Sequence, residues 1–238
     1  MFEFNYNLNT DIIIIFMSNV TIILTTTVNV HTRMIHTKDV QHCNKEERLH
    51  IYLRSIKQWL TKTKFNIIVS DNNNYSYPEL SEELEVYKNR FEIIYYDETS
   101  LKETKYLLNQ PTKGINELYS INYAFHNSKI IQNSIFVIKI TGRYFLPHLE
   151  NYLENIDLNL MDCIRQNNPD FCELVGCHVK HFHKLFNKYL INDNNEIDYH
   201  IENIYKSRIS WFDNIISLPP IEIEPPTHSG FFWLRYHL

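Results

Sequence analysis

Glycine is scarce in this chain, with 4 in 238 residues against a usual share near ~7%. A Walker-type or dinucleotide-binding cradle needs several glycines close together, so neither can be built here. Cysteine is nearly as sparse. Cys43, Cys163, Cys172 and Cys177 form no paired framework in a chain of this length, which points to a reducing, cytoplasmic compartment. Long apolar runs are missing too. The run from Ile12 to Met17 gives way at once to Ser18, Asn19 and Thr21, short of the ~20 residues that cross a bilayer, so no membrane span is expected. It is also a poor signal peptide, because Glu3 and Asp11 precede it and no small-residue cleavage site closes it. Excess positive charge is absent. A net charge of -5 argues against a broad nucleic-acid surface, which relies on Lys and Arg to neutralise phosphates.

A hydrophobic content of 44% is enough for one large core. Val20 to Thr27 is an apolar, β-branched run that ends in threonines, a buried strand opening onto a polar rim at Thr25 to Asn29. Leu49, Leu53, Ile56 and Leu60 recur at helical intervals over Glu46 to Leu60; Arg48 on that helix reads as a structural residue. Phe65 to Val69 gives a second strand that stops at the turn-formers Ser70 to Asn74. Pro78 to Arg90 reads as helix, and Phe91 to Tyr96 as a third strand. Glu117 to Asn127 places Leu118, Ile121, Ala124 and Phe125 on one helical face, and Ser134 to Ile140 is a doubly covered strand. Further on, the pattern predicts a helix over Leu149 to Arg165, a strand from Phe171 to Val179, a polar stretch through Lys206, and an extended, proline-rich segment over Leu218 to Pro226. Met17-Ser18-Asn19-Val20 opens the first strand better than Met1 does, which makes residues 1–16 an expected N-terminal extension.

Alternating strand and helix implies a mainly parallel α/β sheet in a single domain. It lines up the loops at Thr27, Asp71, Asp97 and Arg143 along one carboxyl edge, where such sheets hold ligands. Two motifs fall there: Lys113-Gly114-Ile115-Asn116-Glu117, and Lys139-Ile140-Thr141-Gly142-Arg143-Tyr144. Their Lys, Arg, hydroxyl and glycine groups suit an anionic ligand. Lys113 and Glu117, at i and i+4, would also make an ordinary helix-start ion pair. Asp71 reads equally as a turn residue.

With Thr25-Thr26-Thr27, Arg48 ahead of Trp59-Leu60, and Ile67 to Asn72, these motifs make the chain resemble the GT-A-type nucleotide-sugar glycosyltransferases, in particular small bacterial and large-DNA-virus members. The resemblance spans about Val20 to Pro147. It implies a Rossmann-like GT-A sheet flanked by helices, with residues 17–147 as the nucleotide-sugar-binding part of the domain and 148–238 as its acceptor side. The implied partners are a nucleotide-sugar donor and a glycan or glycosylated acceptor. It further implies that Thr26, Thr27, Asp71, Asn72, Lys113, Gly114, Thr141, Gly142 and Tyr144 bind the donor. Relatives hold Mg²⁺ or Mn²⁺ with an Asp-x-Asp after a strand; here that place carries Lys139-x-Thr141-Gly142-Arg143. The departure leaves the metal requirement open and favours a metal-independent transfer, in which Arg143, Lys139 and Glu117 are the catalytic candidates. Glu117 would hold a sugar hydroxyl or pair with Lys113 or Arg143. An acceptor base is open among Glu173, Asp213, Glu224 and His228.

Two other readings compete with a transferase. One is a catalytically silent GT-A-like module that binds nucleotide or glycan. The other is an interaction protein with zinc at Cys172, Cys177, His178, His181 and His183, whose spacing is not that of a zinc knuckle.

Overall fold

The computed structural model describes residues 19–29, 44–107, 112–191, 197–229 and 233–238. Cys43 and the expected break after residue 16 lie outside the described residues. Strand β1 (Val20–Thr26) is followed by helix α1 (Lys45–Lys62), β2 (Asn66–Asp71), α2 (Ser81–Val86), β3 (Phe91–Tyr95), α3 (Gly114–Asn127) and β4 (Phe136–Thr141). Then come α4 (Leu149–Leu153), β5 (Cys163–Arg165), β6 (Leu174–His178), α5 (Phe182–Leu185), α6 (Ile201–Ile209), β7 (Ile215–Ser217), β8 (Glu222–Ser229) and β9 (Trp233–His237).

Seven of these strands form a sheet in the order β3-β2-β1-β4-β6-β5-β7, and β8 pairs with β9 in a hairpin. β1 to β4 are parallel, β5 and β7 are parallel to one another, and β6 alone runs against its neighbours. This is the single-domain, helix-flanked, mainly parallel α/β sheet expected from the sequence. Side chains alternate across it. Ile22, Leu24, Ile67, Val69, Ile138 and Ile140 pack with Ile56, Trp59 and Leu60 of α1 on one face. Ile23, Ile68, Val137 and Val175 meet α3, α5 and α6 on the other.

Local chemistry explains where elements begin and stop. The Asn44 side chain caps α1 by accepting from Glu46 N at 2.9 Å; the pattern also puts Glu46 and Glu47 at the helix's positive end and Lys62 at its negative end. Trp59 is fully buried, edge-on to Phe145 at 4.9 Å, and its Nε1 donates to Tyr144 O.

Three expectations fail at the level of elements. The helix over Leu149 to Arg165 stops at Leu153, because Asp157 turns the chain by accepting from Asn159 N and Cys163 to Arg165 joins the sheet. The helix over Pro78 to Arg90 is a 3-10 turn followed by α2, which ends at Val86; the turn beyond it carries Arg90 to the Phe65 and Leu60 carbonyls. The strand expected from Phe171 begins only at Leu174.

Candidate functional site

β1, β2, β3 and β4 all end at the same sheet edge, and β6, running the other way, starts there. Thr141 N donates to Glu173 O at 2.9 Å, so Glu173 lies beside the end of β4. Lys139 is on the α3 face of β4 and is fully buried. Its Nζ forms an ion pair with Glu117 Oε1 of α3 at 2.7 Å and donates to Cys172 O at 2.7 Å. Burial alone would lower the Lys139 pKa, but the Glu117 carboxylate overcomes that, and the ammonium is held above its ordinary value. Glu117 is therefore the partner of Lys139 rather than of Lys113 or Arg143, and Lys139, a catalytic candidate in the sequence, is enclosed. Buried Cys163 and Cys177 face one another across β5 and β6 as free thiols, and burial pushes the Cys163 pKa up to about 12.

The Thr141-Gly142-Arg143-Tyr144 turn divides its duties. A Cβ on Gly142 would come within 2.5 Å of Thr26 Cγ2 and 2.7 Å of Thr25 O, while Gly142 N donates to Thr25 O. The glycine thus lets the turn close against β1, not against a ligand. Tyr144 is buried, and its carbonyl accepts from Ser55 Oγ and Trp59 Nε1, which locks the turn to α1. It is not the exposed ring that a sugar would stack on. Arg143 is half-buried, with its guanidinium 4.9 Å from the centre of the Tyr144 ring. Its Nε is buried and has no hydrogen-bond partner, and among the described residues no carboxylate forms an ion pair with it.

At the β1–β2 edge the polar groups hold one another. Asp71 is fully buried: Oδ2 accepts from Thr26 Oγ1 and Val28 N, and Oδ1 from Asn73 N and Tyr75 N. Burial raises its pKa, and these four donors oppose the rise. Asp71 and Thr26 therefore shape the rim from within. Thr27 Oγ1 donates to Asn72 Oδ1 at 2.8 Å, and Asn72 Nδ2 donates to Glu98 Oε2 at 2.8 Å. Asn116 Nδ2 of α3 reaches the same Glu98 oxygen at 3.0 Å. Glu98 is buried and joins three elements, yet sequence reasoning passed over it, since Asp97-Glu98-Thr99-Ser100 reads as a solvated turn. Arg48 donates to Thr27 O and Tyr52 Oη, the structural role expected of it.

Lys113 is exposed ahead of α3. Gly114 packs against α6, where an added Cβ would meet Ile201 Cβ at 2.7 Å. Of the acceptor-base candidates, Asp213 precedes β7 and so lies at the opposite sheet edge. Glu224 pairs with Gln58 and Arg54 of α1, and the His228 side chain lies outside the described residues. That leaves Glu173, whose Oε2 accepts from the buried Gln166 Nε2 at 2.9 Å.

A divalent cation does not fit the end of β4. An ammonium, a guanidinium and one hydroxyl stand there, and the two nearby carboxylates are engaged, Glu117 by Lys139 and Glu173 by Gln166, whereas a hard cation needs several oxygen ligands free to converge on it. Among the described residues no group of three His, Cys, Asp or Glu could hold a metal. The zinc reading fails on geometry: the strand ends at His178, so His181 and His183 fall in the turn and helix beyond it. His181 Nε2 lies 2.8 Å from Asp162 Oδ1. No helix among the described residues is long and apolar enough to cross a membrane.

No protein-family model matches the chain, and no curated protein does. Similar solved structures include a protein described as a nucleotide-diphospho-sugar transferase from Desulfovibrio desulfuricans G20, at 14% identity over 85% of this chain and 80% of that one, with a TM-score of 0.47. The glycosyltransferase GlyE of Streptococcus pneumoniae TIGR4 is similar at 8% identity over 83% of this chain and 44% of its own, with a TM-score of 0.47. Residues 1–349 of Staphylococcus aureus TarS are similar at 13% identity over 84% of this chain and 58% of that one, with a TM-score of 0.46. The match thus spans less than two thirds of the second and third proteins. At identities this low none of their activities passes to this chain.

Proposed function

We propose that the chain transfers a sugar from a nucleoside-diphosphate donor to a glycan or protein-linked acceptor, with Arg143 meeting the diphosphate. One observation carries this reading: a half-buried guanidinium stands at the carboxyl end of a central parallel strand, with a buried Nε that has no hydrogen-bond partner among the described residues. Departure of a nucleoside diphosphate builds negative charge, and a guanidinium fork can accept it bidentately without a metal. Thr141, whose hydroxyl lies 3.4 Å from Lys139 Nζ, adds a donor on the same turn. Thr27, Asn72 and Glu98 supply the polar rim on the nucleotide side.

In an inverting transfer the acceptor hydroxyl oxygen bonds to the anomeric carbon as the bond from that carbon to the diphosphate oxygen breaks. The diphosphate leaves with the electron pair, and the hydroxyl proton passes to a carboxylate. Glu173 is the carboxylate best placed for that proton, because it adjoins Thr141 and is oriented by Gln166. Lys139 and Glu117 are positioning residues here. Their pair neutralises itself and fixes α3 to β4 beneath the turn.

A second reading, binding without turnover, is favoured by the internal pairing of Asp71, Thr26 and Glu117. Melting the protein with UDP, GDP, CMP and dTDP sugars, each with EDTA or Mn²⁺, separates the outcomes together with a chromatographic assay for donor cleavage. A donor at ~100 times its Kd stabilises by about 2.7 kcal/mol. A shift that persists in EDTA and is accompanied by cleavage supports transfer. A shift without cleavage or transfer favours the silent module, and no shift with any donor defeats transfer and leaves only a module that binds glycan.

A further inference from the structure

Helix α3 carries a second stripe beside its core-facing one, anchored in the core at Tyr119. Leu118, Ile121 and Ala124 face the core, while Tyr119, Asn122, Tyr123 and His126, at i, i+3, i+4 and i+7, line a cavity of about 590 Å³ on its outer side. Asn187 to Tyr189, beyond α5, also line it, and so does Glu103. The volume falls in the range of small-ligand pockets.

The lining has a definite chemistry. Tyr119 is buried and stacks on Tyr123 at 6.1 Å and 26°, while the Tyr189 ring is about half exposed and is the flat surface open to a ligand. Asn122 Nδ2 donates to both the Leu118 and Phe186 carbonyls, which turns its Oδ1 into an acceptor of fixed direction. Glu103 and Lys188 cancel in charge. His126 and His183 are stacked at 5.5 Å, and burial, His183 and Lys188 push the His126 pKa down, so that ring is a neutral hydrogen-bonding group. Ring faces edged with amides and imidazoles, with no net charge, suit a neutral ligand that has one apolar face and a rim of hydroxyls. A phosphate or a polyanion would find no cationic excess.

We propose that this groove is a saccharide-binding site, separate from the sheet edge where Arg143 stands and independent of whether transfer occurs. The test is saturation-transfer NMR on the full chain with maltotetraose, cellotetraose and chitotetraose, repeated on Tyr189→Ala, Tyr123→Ala and Arg143→Ala. Tyr189 contributes an exposed ring while its backbone carbonyl holds Arg208, so Tyr189→Ala should keep the fold. We expect at least one saccharide to be saturated by the wild type and by Arg143→Ala, with affinity about tenfold weaker in Tyr189→Ala, equivalent to about 1.4 kcal/mol. Saturation by none of the three overturns the proposal. So does saturation unchanged in Tyr189→Ala, or saturation lost in Arg143→Ala. A sugar bound here by a protein that fails to bind any nucleotide sugar would leave this site standing and remove the transfer reading alone.

Discussion

At the scale of single residues, the Arg143 and Asp71 side chains show how differently two polar groups on one edge can be used. Arg143 has a ring beneath it and a buried Nε without a partner, so its removal should cost little stability, about 0.5–1 kcal/mol for the lost cation–π contact. Turnover should fall far more: losing a preorganised charge at the leaving group typically costs 10²–10³ in kcat, about 3–4 kcal/mol. Donor-cleavage kinetics on Arg143→Ala, alongside its melting curve, check this, and a variant that unfolds while the residual native fraction turns over normally would make Arg143 structural. Asp71 is the reverse case. Asp71→Ala takes the acceptor from the Val28, Asn73 and Tyr75 amides and leaves Thr26 Oγ1 only the Ser70 carbonyl, a loss of about 3 kcal/mol or more. A denaturant midpoint within experimental error of wild type would show that these bonds do not organise the rim.

At the scale of elements, the strand-helix alternation was legible because apolar runs and helical spacing are local signals: β1, α1, β2, α3 and β4 each lie within a few residues of their expected bounds. The short elements after Pro147 were not, because Cys163 to Arg165 is a strand only through its pairing with β6 and β7. The same division runs through the site. The two motifs do fall at the carboxyl edge of the sheet, yet nothing in their spacing tells that Lys139 turns inward to Glu117, or that Gly142 closes on Thr25. That ion pair ties α3 to β4. Lys139→Met leaves the Glu117 carboxylate without its cation, and should destabilise by about 3 kcal/mol; adding Glu117→Gln should restore most of it. Additive losses in the double variant would mean no coupling. The pH dependence follows from the raised Lys139 pKa. The contribution of the ammonium is present below the ordinary lysine value of ~10.4 and is lost as pH rises through the higher folded value, so wild type and Lys139→Met should converge in stability as the solution becomes strongly alkaline.

At the scale of the whole molecule, the C-terminal hairpin decides whether the part beyond Pro147 is an accessory or a share of one core. Ile221, Ile223 and Leu238 are buried in the same cluster as Trp59 of α1 and Ile138 of β4. Phe145 and Glu224 exchange backbone hydrogen bonds at 2.8 and 2.9 Å, directly after the Arg143 turn, and Leu238 N donates to Ile221 O. The tail is therefore fastened to the α1 side of the sheet, next to the Arg143 turn. Burying three aliphatic side chains contributes ~1.5–3 kcal/mol each, a sum comparable to the whole stability of a typical domain, ~5–15 kcal/mol. A chain ended after Leu218 should consequently unfold at a much lower denaturant concentration, in one transition with the rest, and not as a separate early step. Two transitions in the intact chain, with the truncated chain keeping the second unchanged, would make the tail a detachable module. A single shifted transition would show that the Arg143 turn depends for its shape on residues some eighty positions further along the chain.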